Sequence, residues 1–209
     1  MEKDLGFIHR FEAGGEGGGA PLLLLHGTGG NEYDLLPIGR EIAPEAPLLS
    51  PRGKVLENGM PRFFRRLAEG VFDLDDVRRR AGELADFIVA ACRHYGLTAP
   101  IALGYSNGAN IAGAILQLRP ETLAGAILYR AMVPLDQPVQ GALDTKPVLI
   151  ISGEHDQIVP LANAQRLAEI LKEGGADVTH HILPAGHALT EQDIDAAKRW
   201  LRQVSATLQ

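Results

Sequence analysis

The sequence predicts an α/β domain with a mostly parallel central sheet, right-handed crossovers and helices on both faces. Three observations lead there. Short runs at 22–25, 101–103 and 148–151 are wholly apolar, which suits strands buried on both faces inside a parallel sheet. Between such runs lie amphipathic stretches, the longest carrying Val77, Ala81, Leu84, Ile88, Cys92 and Tyr95 at close to helical spacing. Glycine-rich turns and residues able to do chemistry follow directly after the strand runs, where open α/β sheets bind their ligands. At 209 residues, with no repeat and no interdomain linker, the chain reads as a single domain over 1–209.

Taken in order, residues 7–12 alternate weakly and predict an edge strand. The run Gly14-Gly15-Glu16-Gly17-Gly18-Gly19 predicts a hairpin connection to the next strand. No Gly-Lys-Ser/Thr closes that run and no helix follows it, so it does not read as a phosphate loop. The strand 21–25 ends in His26-Gly27-Thr28-Gly29-Gly30-Asn31-Glu32, a loop whose backbone N–H groups are free to face a ligand. Leu35, Leu36, Ile38, Gly39 and Ile42 give a short helix stopped by Pro44 and Pro47, and a strand follows at 48–50. Residues 51–72 mix turn residues with Arg62-Phe63-Phe64-Arg65-Arg66 and read either as a short cover over the carboxyl edge of the sheet or as an irregular surface connection.

Asp73 caps the long helix and Gly96 stops it. A strand from Ile101 runs into Gly104-Tyr105-Ser106-Asn107-Gly108, and a helix follows at once from Asn107 to Leu118, ending before Pro120. The next strand, 123–129, carries Arg130 and Met132 beyond its carboxyl end. Residues 147–153 make another buried strand leading into Glu154-His155-Asp156, then a helix over 161–172. The last strand, 178–183, precedes Pro184-Ala185-Gly186-His187, and a closing helix turns Ile194, Ala197, Trp200, Leu201 and Val204 inward.

The G-x-S-x-G pattern between strand and helix places a serine hydroxyl on a sharp turn, beside the positive end of the following helix. Such a pattern also arises in an ordinary tight turn, so the reading depends on the other parts. A serine needs a histidine to take its proton and a carboxylate to orient that histidine. Ser106, Asp156 and His187 supply these in chain order, each just after a predicted strand. Glu154 and His155 fit less well, and His180 and His181 lie within a strand, where adjacent side chains point to opposite faces. For the oxyanion, the backbone N–H of Asn107 is one donor by construction of the turn and that of Thr28 is the expected second. Because that donor is backbone, Thr28→Ala is expected to matter little. His26 is expected to hold its loop by hydrogen bonding. His155, Asp156, His180, His181 and His187 are conceivable metal ligands but show no H-E-x-x-H or Cys/His spacing, so no metal is expected.

Composition narrows the class. Hydrophobic content of 45% and charged content of 22% are those of a soluble globular protein rather than a disordered or fibrous one. A net charge of -6 argues against nucleic acid or an anionic membrane as the main partner, and Arg78-Arg79-Arg80 reads as a solvated helix face. The single cysteine, Cys92, falls on the apolar side of a helix and excludes an intrachain disulfide. The residues from Met1 to Gly6 do not resemble a signal peptide, and no apolar run is long enough to span a membrane, so a cytoplasmic protein is expected.

Four stretches together resemble the phospholipase/carboxylesterase family of α/β-hydrolases, in particular its short bacterial members, including the hydroquinone-specific hydrolase type. They are the 26–32 loop, the stretch from Gly104 to Asn110, Ser152-Gly153-Glu154-His155-Asp156 with Pro160, and Gly186-His187. The resemblance implies an α/β-hydrolase fold with a minimal lid, a triad of Ser106, Asp156 and His187, and an oxyanion hole from Thr28 and Asn107. It implies no cofactor and hydrolysis of a small-molecule carboxylic ester or thioester, and it leaves a homodimer open. Family members that remove long acyl chains commonly have glutamine after the serine, whereas this chain has Asn107, so a carboxylesterase for small to medium esters is the leading reading. A thioesterase or lysophospholipase-type deacylase, a hydrolase of aromatic-ring-derived products and, in another class, a non-catalytic ligand receptor are the alternatives. Arg65, Arg66, Arg130 and Met132 are expected to contact substrate, the arginines by selecting polar or anionic groups.

Overall fold

The computed structural model describes residues 5–16 and 18–207, without the side chains of 205–207. Residues 1–4, and Gly17 of the glycine run, lie outside the described residues. Along the chain the elements are β1 (His9–Glu12), β2 (Leu22–Leu25), α1 (Leu36–Ile42), β3 (Leu48–Pro51), β4 (Val55–Glu57), β5 (Met60–Arg62), β6 (Arg66–Ala68), β7 (Val71–Phe72) and α2 (Leu74–Tyr95). There follow β8 (Ile101–Tyr105), α3 (Asn107–Leu118), a 3₁₀ turn (Pro120–Thr122), β9 (Gly125–Tyr129), β10 (Pro147–Gly153), α4 (Leu161–Glu173), β11 (Asp177–Leu183) and α5 (Glu191–Thr207).

Seven strands form the central sheet in the order β1-β3-β2-β8-β9-β10-β11. Every neighbouring pair is parallel except β1 with β3. The apolar runs occupy the middle. All four residues of β2 and all five of β9 are buried, because helices cover both faces. One face packs Leu23, Ala102, Leu128 and Ile150 against Val77, Leu84 and Ile88 of α2, Ile111 and Ile115 of α3 and Leu167 of α4. The other packs Leu24, Leu103, Ile127 and Leu149 against Leu36 of α1 and Ala197, Trp200 and Leu201 of α5. The long helix starts where its cap requires: Asp73 accepts a bond from the Asp76 N–H, and Gly96 ends it in the left-handed conformation at φ +68°.

Two expectations are corrected. The glycine run does not join a hairpin, because β1 pairs antiparallel with β3, His9 opposite Pro51, and β3 separates it from β2. The described ends of the run lie against residues 45–47 ahead of β3 instead, with the Gly15 N–H bonded to the Glu45 carbonyl at 3.0 Å. Residues 51–72 are not irregular: they fold into two small antiparallel hairpins, β4-β5 and β6-β7, ahead of α2.

With six strands parallel, their carboxyl ends share one edge. That edge carries the 26–30 loop after β2, Ser106 after β8, Arg130 after β9, Asp156 after β10 and His187 after β11.

Candidate active site

Ser106 stands between β8 and α3 at φ +52° and ψ −113°, a conformation that costs a non-glycine residue about 1–3 kcal/mol and persists only where the surroundings enforce it. They do so from both sides. The Ser106 N–H donates to the Tyr129 carbonyl at 2.8 Å, and its own carbonyl accepts from the Asn110 N–H at 2.9 Å. The flanking glycines are needed for close approach. A Cβ on Gly104 would sit 2.6 Å from the Ala109 backbone, and one on Gly108 would sit 1.9 Å from the Leu25 carbonyl oxygen.

His187 faces this serine. Its Nε2 lies 3.1 Å from Ser106 Oγ and its Nδ1 lies 2.8 Å from Asp156 Oδ2. The Asp156 side chain is 1% exposed and its other oxygen accepts the N–H groups of Ile158 and Val159 at 2.8 and 3.0 Å. With the carboxylate held in this way, Nδ1 carries the imidazole proton and Nε2 is left as the acceptor for the serine hydroxyl.

The loop bearing His187 is fixed from below by an ion pair that sequence reading did not find. Arg130 and Asp193 are both 0% exposed and are joined at 2.7 and 2.9 Å. The guanidinium also donates to the carbonyls of Gly186 at 2.8 Å, Ala188 at 3.1 Å and Ile151 at 3.2 Å, while Asp193 accepts the N–H and hydroxyl of Thr190. Tyr105 completes the grip by donating to the His187 carbonyl at 3.2 Å. Arg130 is therefore not available to a substrate, and the expectation that it meets one is corrected: its donors are spent inside the protein.

On the other side of Ser106, the 26–30 loop and the start of α3 face the hairpin β4-β5. His26 accepts from the Gly53 N–H at Nε2 (2.9 Å) and donates from Nδ1 to the Gly27 carbonyl (2.7 Å), which defines its neutral tautomer. Burial pushes its pKa below the usual histidine value. Neither the Thr28 N–H nor the Asn107 N–H takes part in a backbone bond among the described residues, and the first N–H groups of a helix have no acceptor within it. The Asn107 side chain accepts the Phe63 N–H at 2.7 Å.

The remaining predicted contacts lie in or against the two hairpins of residues 51–72. Arg65 is largely exposed and pairs with Asp73, and Arg66 pairs with Glu57 at 2.9 Å, so both arginines are engaged within their own segment and its helix cap. Met132 is buried; its N–H bonds Asn110 Oδ1 at 2.7 Å and its methyl group lies against Gly70 in the β6-β7 turn. Arg62, unremarked as a site residue, proves to be buried at the end of β5. Its signal was hidden because an arginine in a basic run reads as solvated. A cleft of about 700 Å³ opens at the opposite end of the sheet beside Lys146, Thr179 and Trp200, and none of the predicted site residues lines it. Among the described residues, no group of three or more His, Cys, Asp or Glu side chains is placed to hold a metal ion, and no helix is long and apolar enough to cross a membrane.

A parallel sheet with helices on both faces, a serine on a strained strand-to-helix turn and a histidine bridging it to a carboxylate define the α/β-hydrolase class. The phospholipase/carboxylesterase family model matches residues 19–205, and the chain belongs to that family. It is 45% identical over 184 residues to the protein named MhqD of Bacillus subtilis (strain 168), covering 87% of this chain and 92% of that one. Its fold is similar to that of the Bacillus cereus carboxylesterase, with a TM-score of 0.92, 44% identity and coverage of 96% of this chain and 95% of the other. The carboxylesterase from Mesorhizobium loti is similar at a TM-score of 0.89 and 31% identity, with 96% of each chain covered.

Proposed function

We propose that this chain is a serine carboxylesterase that hydrolyses small to medium carboxylic esters through an acyl-enzyme on Ser106. Ser106 Oγ attacks the ester carbonyl as His187 Nε2 takes its proton. The tetrahedral oxyanion is received by the Thr28 and Asn107 N–H groups. Collapse expels the alcohol, which leaves with the proton from His187, and water attacks the acyl-enzyme by the same route in reverse. Asp156 orients the imidazole and stabilises its charged form. The observation that supports this most is the unbroken chain from the buried Asp156 carboxylate through His187 to the strained Ser106.

Asn107 in place of glutamine supports the smaller substrates, and Met132 offers an apolar wall. The setting we assign is the cytoplasm, consistent with a single buried free cysteine. The reading is tested by treating purified protein with a fluorophosphonate and mapping the adduct. One label on Ser106, together with turnover of p-nitrophenyl acetate and butyrate, is expected. An unlabelled Ser106 in folded protein would sink the assignment, and ligand binding without turnover would indicate a receptor.

A further inference from the structure

The second strand of the hairpin β4-β5 and the residue that follows it touch both elements that carry the proposed oxyanion donors. The Pro61 carbonyl accepts the Gly29 N–H at 2.9 Å. Arg62 Nη1 donates to Thr28 Oγ1 at 2.8 Å. One residue on, the Phe63 N–H donates to Asn107 Oδ1 at 2.7 Å. Three consecutive residues thus bridge the 26–30 loop to the first turn of α3, across the gap in which the oxyanion would form.

Arg62 is built to be rigid. Its side chain is 3% exposed, its Nε donates to the Phe64 carbonyl at 3.2 Å, and Glu57 faces it at 3.1 Å from the partner strand. Gly53 lies so close to the Arg62 carbonyl that a Cβ there would fall 2.3 Å away, and the Gly53 N–H is itself held by His26 at 2.9 Å. The Nη1 that donates to the Thr28 hydroxyl is held in place by Glu57 as well, so the hydroxyl is drawn to one position and the Thr28 backbone with it.

We infer that Arg62 and the Thr28 hydroxyl are positioning residues that set the separation of the two oxyanion donors. This rests on the serine-esterase reading above and replaces the sequence expectation that the Thr28 side chain is dispensable. Neither group touches the reacting atoms. They act by holding the Thr28 N–H where the negative oxygen develops, and displacement of a reacting geometry by about 1 Å can cost about a hundredfold in rate.

The test uses the full chain and four variants, Thr28→Val, Thr28→Ser, Arg62→Met and the double variant Thr28→Val/Arg62→Met, with p-nitrophenyl butyrate as substrate and a trifluoromethyl ketone as the oxyanion mimic. Thr28→Val is expected to lower kcat by about tenfold to a hundredfold with KM within about twofold, and to weaken ketone binding by a similar factor. Thr28→Ser should retain most of the activity. The double variant should lose no more than the worse single one, since both break one link. The pH at which kcat/KM rises should not move, because His187 is untouched.

Thr28 is exposed, so Thr28→Val keeps the test decisive even if Arg62→Met fails to fold. Wild-type ketone affinity and kcat in Thr28→Val, or a loss confined to KM, would overturn the inference. Labelling of wild-type Ser106 by the fluorophosphonate separates the two failures: if the label is absent the esterase reading falls, and if it is present with indifferent variants only the brace falls.

Discussion

Among the described residues two serine–histidine pairs are hydrogen-bonded, and the shorter one is not the candidate. Ser152 Oγ is 2.9 Å from His180 Nε2, whereas Ser106 Oγ is 3.1 Å from His187 Nε2. Ser152 is buried on β10 and reaches His180 diagonally across to β11, where the register sets Ile150 opposite His180. No carboxylate bonds His180 among the described residues, and burial, Lys172 and His181 all push its pKa below the usual histidine value. Ser106 instead sits past its strand on a strained turn at a helix N-terminus, and His187 is oriented by a buried carboxylate. Distance alone does not make a nucleophile. What distinguishes the second pair is a carboxylate on its histidine and, among the described residues, the Thr28 and Asn107 N–H groups without a backbone partner.

The comparison is broken most directly at the serines. Ser106→Ala should lower ester turnover by about 10⁶-fold while Ser152→Ala keeps it, as measured by steady-state kinetics with p-nitrophenyl butyrate. Comparable losses in both variants would mean that the hydrogen-bonded pair, not its setting, matters. The next test removes the orienting group. Asp156→Asn should leave the fold intact but reduce kcat by about 10⁴-fold, the effect of losing the correct tautomer in a serine protease triad. A loss under tenfold would place His187 with His180, as a histidine that needs no orienting carboxylate.

A smaller effect tests what holds His187 in place. Arg130→Met leaves the Asp193 carboxylate buried and without its partner, which should cost about 3–5 kcal/mol of stability. Urea unfolding checks this. The double variant Arg130→Met/Asp193→Leu should recover part of the loss, because no lone charge remains, although the Thr190 N–H and hydroxyl lose their acceptor. If the single and double variants unfold at the same urea concentration, the pair contributes through shape and not through its charges.

The hydrogen-bonded chain of Ser106, His187 and Asp156 was legible because each member carries a local signal: a glycine-flanked serine, an aspartate and a histidine, each following a strand-like run. The seven main strands and five helices were legible for a similar reason, since apolar runs and amphipathic spacing are written in consecutive residues. What escaped is what depends on partners far along the chain. Arg130 at a strand end reads the same whether it faces substrate or an aspartate 63 residues further on. Asp193 in the first turn of α5 looks like an ordinary acidic helix start. The hairpins in 51–72 are only two or three residues per strand, too short for alternation to register. The pairing of β1 with β3 is a choice between edges that the glycine run, read locally, points the wrong way.

The smallest expected effect concerns pH and bears on whether His180 could ever act as a rival base. His26 and His180 both have folded pKa values lowered chiefly by burial. Around His26, the Gly27 carbonyl, Asp34 and Glu32 oppose the shift and Arg52 adds to it. A lowered pKa means that the unfolded chain takes up the proton first. Stability is therefore fully present above the ordinary histidine value of about 6.5 and falls as the pH drops through it, until the folded histidines protonate. Thermal unfolding from about pH 8 to about pH 5 should show a falling midpoint, and His180→Gln, which can still meet Ser152, should flatten that fall by its share. An equally steep fall in His180→Gln would mean that His180 accepts a proton in the folded state as readily as in the unfolded one.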